Sequence, residues 1–352
     1  MARRSSLFSL SALTRAYQRN LKVLVRATRP AAPVRSTRRK AVPAAVAALP
    51  RAAAAPVNRR PAGKSRGEWI AGVAPGPAGA RRYHLYVPPG LALLPGERLA
   101  LLVMLHGCGQ TGRELAIASR MNRLAARERF LVLYPEQERL ANAHGCWNWF
   151  ERQSGKAEAE AATLLAAVDV AARRHPVDLA RVGVAGLSAG GSMAVLMAAL
   201  YPHRFCAVAT HSGVAPGTAE SAATAMAAMG GRRAGQLPQP LAAGALPPLL
   251  VLHGDADSLV SVRNAAATAQ LWADALGARP GAPRTLQRGQ RRPMRVTEFK
   301  AGGRTVVALR EVAGMAHAWS GGVGHQAYTD PAGPDASALI WAFMARQWLR
   351  KQ

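Results

Sequence analysis

Gly186-Leu187-Ser188-Ala189-Gly190 decides how this chain is read. An apolar run, Val182 to Ala185, precedes it, and Met193, Leu196, Met197 and Leu200 follow at helical spacing. A serine between two glycines, at the point where a strand turns sharply into a helix, has its hydroxyl pushed clear of the sheet as a nucleophile. The corner is so tight that small residues must flank the serine. The five-residue pattern alone is common, so its neighbours carry the decision.

Working outward, the elements alternate. Trp69 to Val73 and Tyr83 to Val87 predict short strands, and the unbroken apolar run Leu99 to Leu105 predicts a strand covered on both faces. A helix is expected over Leu115 to Ala126, a strand over Phe130 to Tyr134, a loop to about Phe150 and a helix over Ala157 to Arg174. After the serine corner and its helix, which stops near Pro202, come strand candidates at Cys206 to Thr210, Pro248 to Leu252 and Thr305 to Leu309. A helix over Ser337 to Leu349 closes the pattern, with Ile340, Phe343, Met344 and Trp348 on one face. Strands alternating with helices predict an α/β fold with a mostly parallel, doubly wound sheet, in a single catalytic domain over residues 67–352. With the serine corner, that is the α/β-hydrolase arrangement.

The basic balance is concentrated at the front. The chain has 352 residues and a formal charge of +27, and residues 1–66 hold 16 Lys/Arg and no acidic side chain. Within residues 1–28, Leu10, Leu13, Tyr17, Leu21 and Leu24 recur at helical spacing, with Arg15, Arg19, Lys22 and Arg26 offset from them. That pattern predicts a basic amphipathic helix suited to a granule or anionic membrane surface, with a solvated tail as the plain alternative. Residues 29–66 are rich in Pro, Ala and Arg without periodicity and read as a disordered linker. Arg15 and Arg19 interrupt any continuous apolar core of a secretion signal. Charge alone favours nucleic acid, but no aromatic interleaving or binding module accompanies it. No apolar run is long enough to span a bilayer.

The remaining site residues follow from order along the chain. His106-Gly107-Cys108-Gly109-Gln110 follows the Leu99–Leu105 strand, where the N–H of Cys108 is placed to join that of Ala189 as an oxyanion hole. His106 itself reads as a structural hydrogen-bonding residue. The acid is expected after the serine: Asp257, in His253-Gly254-Asp255-Ala256-Asp257-Ser258-Leu259-Val260, is preferred over Asp255, which reads as a loop brace. The base is expected after the acid: His317, within Gly314–Gly322, is preferred over His325. Ser188, Asp257 and His317 then form a triad in the chain order of this fold, needing no metal or organic cofactor. Cys108, Cys146 and Cys206 fit neither a disulfide framework nor a zinc pattern, and by spacing read as free thiols.

With these residues in hand, the chain resembles the polyhydroxybutyrate (PHB) depolymerase family of esterases, α/β-hydrolases related to bacterial feruloyl and acetylxylan esterases. The likeness runs from about Gly67 to Leu349. It rests on the His106–Gln110 loop, Tyr134-Pro135-Glu136-Gln137, Cys146-Trp147-Asn148-Trp149-Phe150, the serine corner with its extra Gly191, His253–Val260 and Gly314–Gly322.

The resemblance implies a serine carboxylesterase acting on polyhydroxyalkanoate, its oligomers or related esters, with a feruloyl or acetylxylan esterase as the alternative. A non-enzymatic granule- or membrane-surface scaffold is the rival from another class. It also implies a Cys108–Cys146 disulfide bracing the oxyanion loop. Trp147, Trp149 and Trp319 become candidates to line the substrate groove, with core packing the alternative at each. Relatives of this kind suggest an extracellular enzyme, with an intracellular granule-associated one as the alternative. No linker or polymer-binding domain is expected after the last helix, so soluble or amorphous substrates are expected over crystalline polymer. The Gly213–Leu246 segment is too short for a large lid, with one helix expected within Ala219 to Met229.

Overall fold

A computed structural model describes residues 67–238 and 246–348. The amphipathic segment expected in residues 1–28 and the linker over 29–66 lie outside the described residues. Eleven strands form one twisted sheet: β1 (Glu68–Ala74), β2 (Arg81–Val87), β3 (Leu99–Leu105), β4 (Leu131–Pro135), β5 (Val177–Leu187), β6 (Ala207–His211), β7 (Leu249–Gly254), β8 (Arg279–Pro280), β9 (Arg284–Leu286), β10 (Met294–Ala301) and β11 (Arg304–Val312). Their order is β1-β2-β4-β3-β5-β6-β7-β11-β10-β8, with β9 also paired to β10. The central run β4-β3-β5-β6-β7-β11 is parallel, and both edges are antiparallel hairpins. Two short strands, β12 (Trp319–Ser320) and β13 (Thr329–Asp330), pair separately.

Helices cover both faces, as a parallel sheet requires. On one face lie α3 (Lys156–Arg174), α4 (Ala189–Leu200), α5 (Ala222–Met229) and α6 (Arg263–Ala275). On the other lie α1 (Gly112–Ser119), α2 (Met121–Glu128) and α7 (Ala336–Trp348). Strand β3 shows the consequence of a two-residue period. Leu99, Leu101, Val103 and Leu105 enter the first core, whereas Ala100, Leu102 and Met104 enter the second.

One local expectation is corrected, and two elements were not anticipated. The single helix over Leu115 to Ala126 is two helices, because Arg120 takes a left-handed conformation (φ 57°) between them. Helix α6 was not legible, since its buried face is made of Asn264, Ala265, Thr268, Ala269, Trp272 and Ala273 and shows no apolar stripe. Strand β10 was hidden by exposed Arg295 and Lys300 on its open side.

All central strands point their C-terminal ends the same way. The loops after β3, β5, β7 and β11 therefore gather at one edge of the sheet, where such folds place their sites.

Candidate active site

Between β5 and α4 the backbone turns on one residue. Ser188 has φ 57° and ψ −122°, a conformation unfavourable for any side chain with a Cβ. The turn brings helix and sheet so close that a Cβ on Gly190 would lie 2.1 Å from the Leu105 carbonyl oxygen. One on Gly186 would lie 2.3 Å from the Gly190 backbone. These contacts explain both glycines physically. The Ser188 N–H donates to the His211 carbonyl at 2.8 Å, which locks the corner to β6. The corner opens α4, so the N–H of Ala189 sits among the unpaired donors of a helix N-terminus.

Asp257 and His317 come from the loops after β7 and β11. The Asp257 carboxylate accepts three N–H groups: Leu259 and Val260 at 3.0 and 2.9 Å on Oδ1, and His317 Nδ1 at 2.7 Å on Oδ2. The N–H of His253 Nε2 is directed to the Val260 carbonyl at 2.8 Å, with Oδ2 of Asp257 3.3 Å away. Burial alone would raise its pKa, but His253 and His317 together outweigh that and hold the Asp257 carboxyl far below the usual range. Asp255, exposed, accepts the Gly314 N–H at 2.7 Å, and the Ala256 N–H donates to Met315 at 3.1 Å, so the two loops are sewn together. His325 is exposed and outside the cavity described below.

His211 is a participant the sequence did not reveal. Its backbone carbonyl holds Ser188, while its ring stacks on Trp319 (centroids 5.3 Å apart) and its Nε2 accepts the Ser320 N–H at 3.1 Å. One residue thus fastens the serine corner to the segment that carries His317. Burial pushes the His211 imidazole down to about 3, with the His253 and His317 rings adding to the effect, so the ring is neutral. His253, which braces Asp257, was likewise unassigned from sequence. The one available signal was its place at the end of an apolar strand.

The loop after β3 is held from below. His106 is buried and neutral, its pKa lowered to about 4 chiefly by burial; its Nδ1 donates to the Gly107 carbonyl at 2.8 Å and its Nε2 accepts the Gln137 N–H at 3.1 Å. The Gly107 N–H donates to Gln110 Oε1 at 2.9 Å. A disulfide joins Cys108 to Cys146, 38 positions on. The strand-end segment behind Cys146 is anchored by a buried cluster. Glu160 accepts Arg81 at 3.1 Å, Gln137 at 2.7 Å and the Asn148 N–H at 2.6 Å, and Gln137 also donates to the Cys146 carbonyl at 2.8 Å. A buried pair like Arg81–Glu160 is costly to break, at about 3–5 kcal/mol when one partner is removed.

Ser188, Ala189, Cys108 and His317 all line one cavity of about 200 Å³. Its wall is mostly apolar: Trp149 and Phe150 stand edge to face on one side, and Ala222, Ala225, Met226 and Met229 of α5 contribute another. Two expectations are corrected here. Trp147 and Trp319 are 0% and 1% exposed and do not reach the cavity. Trp147 spends its indole N–H on the His106 carbonyl at 2.9 Å, and Trp319 lies in the core against His211. In a segment with two tryptophans two positions apart, the one facing the pocket is Trp149. Among the described residues no group of three or more His, Cys, Asp or Glu is arranged to hold a metal ion.

Residues 81–282 match the family model described as esterase PHB depolymerase. Poly(3-hydroxyalkanoate) depolymerase C of Paucimonas lemoignei is 37% identical over 129 residues, 36% of this chain and 30% of that protein. Feruloyl esterase B of Neurospora crassa is 31% identical over 212 residues, 56% of this chain and 70% of that protein. Among solved structures, an acetyl xylan esterase from Aspergillus awamori superposes with a TM-score of 0.58 at 20% identity, covering 72% of this chain and 94% of that one. That structural likeness supports the α/β-hydrolase fold. The chain spans less than a third of the length of the depolymerase it matches.

Proposed function

This chain belongs to the PHB depolymerase family of esterases, carboxylic ester hydrolases, and from that premise we propose that it cleaves polyhydroxyalkanoate oligomers or related esters through an acyl-enzyme on Ser188. The observation that carries this reading is the shared cavity: a strained serine and a histidine hydrogen-bonded to a buried carboxylate open onto the same space.

In this mechanism Ser188 Oγ attacks the ester carbonyl while His317 Nε2 takes its proton. Asp257, ionised, keeps the other ring proton on Nδ1 and stabilises the imidazolium. The negative oxygen of the tetrahedral intermediate is met by the N–H groups of Cys108 and Ala189, each such donor contributing about 10²–10³ in rate. The intermediate collapses, the alcohol leaves with the proton from His317, and a water activated by the same ring releases the acid. The apolar wall suits an aliphatic hydroxyacyl chain.

A second reading has its own support. Trp149 and Phe150 offer an aromatic wall, and the feruloyl esterase relative aligns over more of its length than the depolymerase does. Comparing kcat/KM on hydroxybutyrate trimer, methyl ferulate and acetylated xylan separates the two. The first reading expects the trimer to be the best substrate, and a preference for methyl ferulate would replace it with the second. The Cys108–Cys146 bridge suits an oxidising compartment, which favours an extracellular setting. Among the described residues no helix is long and apolar enough to cross a membrane. Residues 1–28 are proposed to attach the enzyme to a granule or anionic membrane surface, and deleting residues 1–66 should weaken adsorption while sparing turnover of soluble esters.

A further inference from the structure

One wall of the ester cavity belongs to a residue with no part in the triad or the oxyanion hole. Tyr328 lines the same space as Ser188 and His317. Its backbone is left-handed (φ 56°), a costly conformation for a bulky aromatic residue that persists only where its surroundings impose it. Those surroundings are visible. The Tyr328 carbonyl accepts the Trp319 N–H at 2.7 Å, and β13 begins at the next residue and pairs with β12. The Thr329 hydroxyl lies 2.6 Å from the Val323 carbonyl and 2.9 Å from that of Gln326. Tyr328 is thereby stapled to the segment that carries His317, two residues before Trp319.

Position decides what that ring meets. His317 must hand its proton to the leaving oxygen, so the alcohol half of the ester lies toward the His317 segment, where Tyr328 stands. Tyr328 packs on the core of the α7 face, whereas Met229 and Phe150 pack on the core of the opposite face. The α5 wall and Tyr328 therefore flank Ser188 from opposite sides of the sheet edge. Nearby polar side chains are committed within the protein. Asn142 donates to Asn148 at 2.9 Å, Ser192 donates to the Ser188 carbonyl at 3.2 Å, and Gln110 is tied to the oxyanion loop by accepting the Gly107 N–H. The Tyr328 hydroxyl has no hydrogen-bond partner among the described residues, and burial raises its pKa, so it keeps a proton to donate. We propose that Tyr328 is the specificity-determining residue of the alcohol subsite, its phenol donating to an acceptor oxygen on the leaving half of the ester. A hydroxyacyl oligomer supplies one: a further carbonyl, separated from the leaving oxygen by two carbons. The inference rests on the esterase reading and adds which half of the substrate is recognised by hydrogen bonding.

The test compares the full chain with its Tyr328→Phe variant on two esters of one acid. The butanoate ester of methyl β-hydroxybutyrate carries the further carbonyl, and sec-butyl butanoate lacks it. Both form the same acyl-enzyme, so kcat/KM for butanoate release reports acylation alone. The intrinsic reactivity of each ester cancels in the ratio of wild type to variant. Tyr328→Phe should lose about three- to tenfold more kcat/KM on the first ester than on the second, the worth of one hydrogen bond. A ring that only packs, or only steadies the His317 segment, would cost both esters alike, so equal losses overturn the proposal and leave the ester site standing. Ser188→Ala tests the premise separately. It should abolish butanoate release from both esters; undiminished release would overturn the esterase reading and this inference with it.

Discussion

Asp257 and His317 are joined by a 2.7 Å hydrogen bond between Oδ2 and Nδ1, although 60 residues separate them in the chain. Because Asp257 is ionised, Nδ1 must carry the proton, and the lone pair at Nε2 is left for the cavity. Neighbouring contacts hold this pair still. Asp255 ties the histidine loop at Gly314, His253 steadies the carboxylate, and His211 fastens the following segment.

The two aspartates of the β7 loop should therefore behave differently. Asp257→Asn leaves the wrong ring tautomer and should lower kcat about 10⁴-fold. Asp255→Asn keeps an acceptor for the Gly314 N–H and loses only the charge, so it should lower kcat less than about tenfold, a charge-assisted contact at the surface being weak. Steady-state kinetics on a soluble aryl ester measures both, and similar losses in the two variants would contradict the assignment.

His211→Phe keeps a ring to stack on Trp319 but leaves the buried Ser320 N–H without an acceptor. Such an orphan costs about 1–3 kcal/mol, and part of it should appear as a shift of the His317 segment. The expected result is a kcat lower by about tenfold with KM little changed. His211→Gln, which restores an acceptor, should recover much of it; no difference between the two variants would reduce His211 to a packing residue.

Much of this was legible in the sequence because covalent order is conserved by topology. Ser188, Asp257 and His317 each sit where a strand ends, and an apolar run followed by glycine marks such an end. His211 and His253 left no comparable signal. Their roles arise from a carbonyl or a ring meeting a residue far along the chain, and a lone histidine after an apolar run has many uses. Trp147 and Trp319 misled for a related reason: an aromatic near a site is recognisable, but the direction it faces depends on the backbone. Helix α6 stayed hidden because alanine, asparagine and threonine build its buried face.

The disulfide has a direct chemical test. Alkylation under denaturing, non-reducing conditions should add one label, on Cys206, and three after reduction, read by intact mass. Three labels without reductant would exclude the bridge. Closing a loop of 38 positions should stabilise the fold by about 3–4 kcal/mol, so reduction should lower the thermal midpoint. Turnover should fall with it, because the Cys108 loop loses its tether.

Acid should destabilise the protein in a defined window. His106 and His211 are held neutral, at about 4 and about 3, whereas in the unfolded chain each titrates at about 6.5. Below that value the unfolded state binds the extra protons. The contribution of each ring is therefore complete above about pH 6.5, and falls by about 1.4 kcal/mol per pH unit toward its folded value. Asp257, also depressed, adds a loss of the same sign below about pH 4. Unfolding midpoints from pH 7 to 4 should drop steeply in the wild type and less steeply in His211→Gln. Equal slopes would show that the ring is not kept neutral by the fold.

The central claim is that one hydroxyl, at the corner between β5 and α4, carries the acyl group. Its most direct measurement is the peptide mass of the protein quenched in acid during turnover of a slowly deacylating aryl ester. The acyl mass should appear on the peptide containing Ser188, and Ser188→Ala should show neither the adduct nor more than about 10⁻⁴ of the wild-type turnover. An adduct elsewhere, or undiminished hydrolysis by Ser188→Ala, would contradict it.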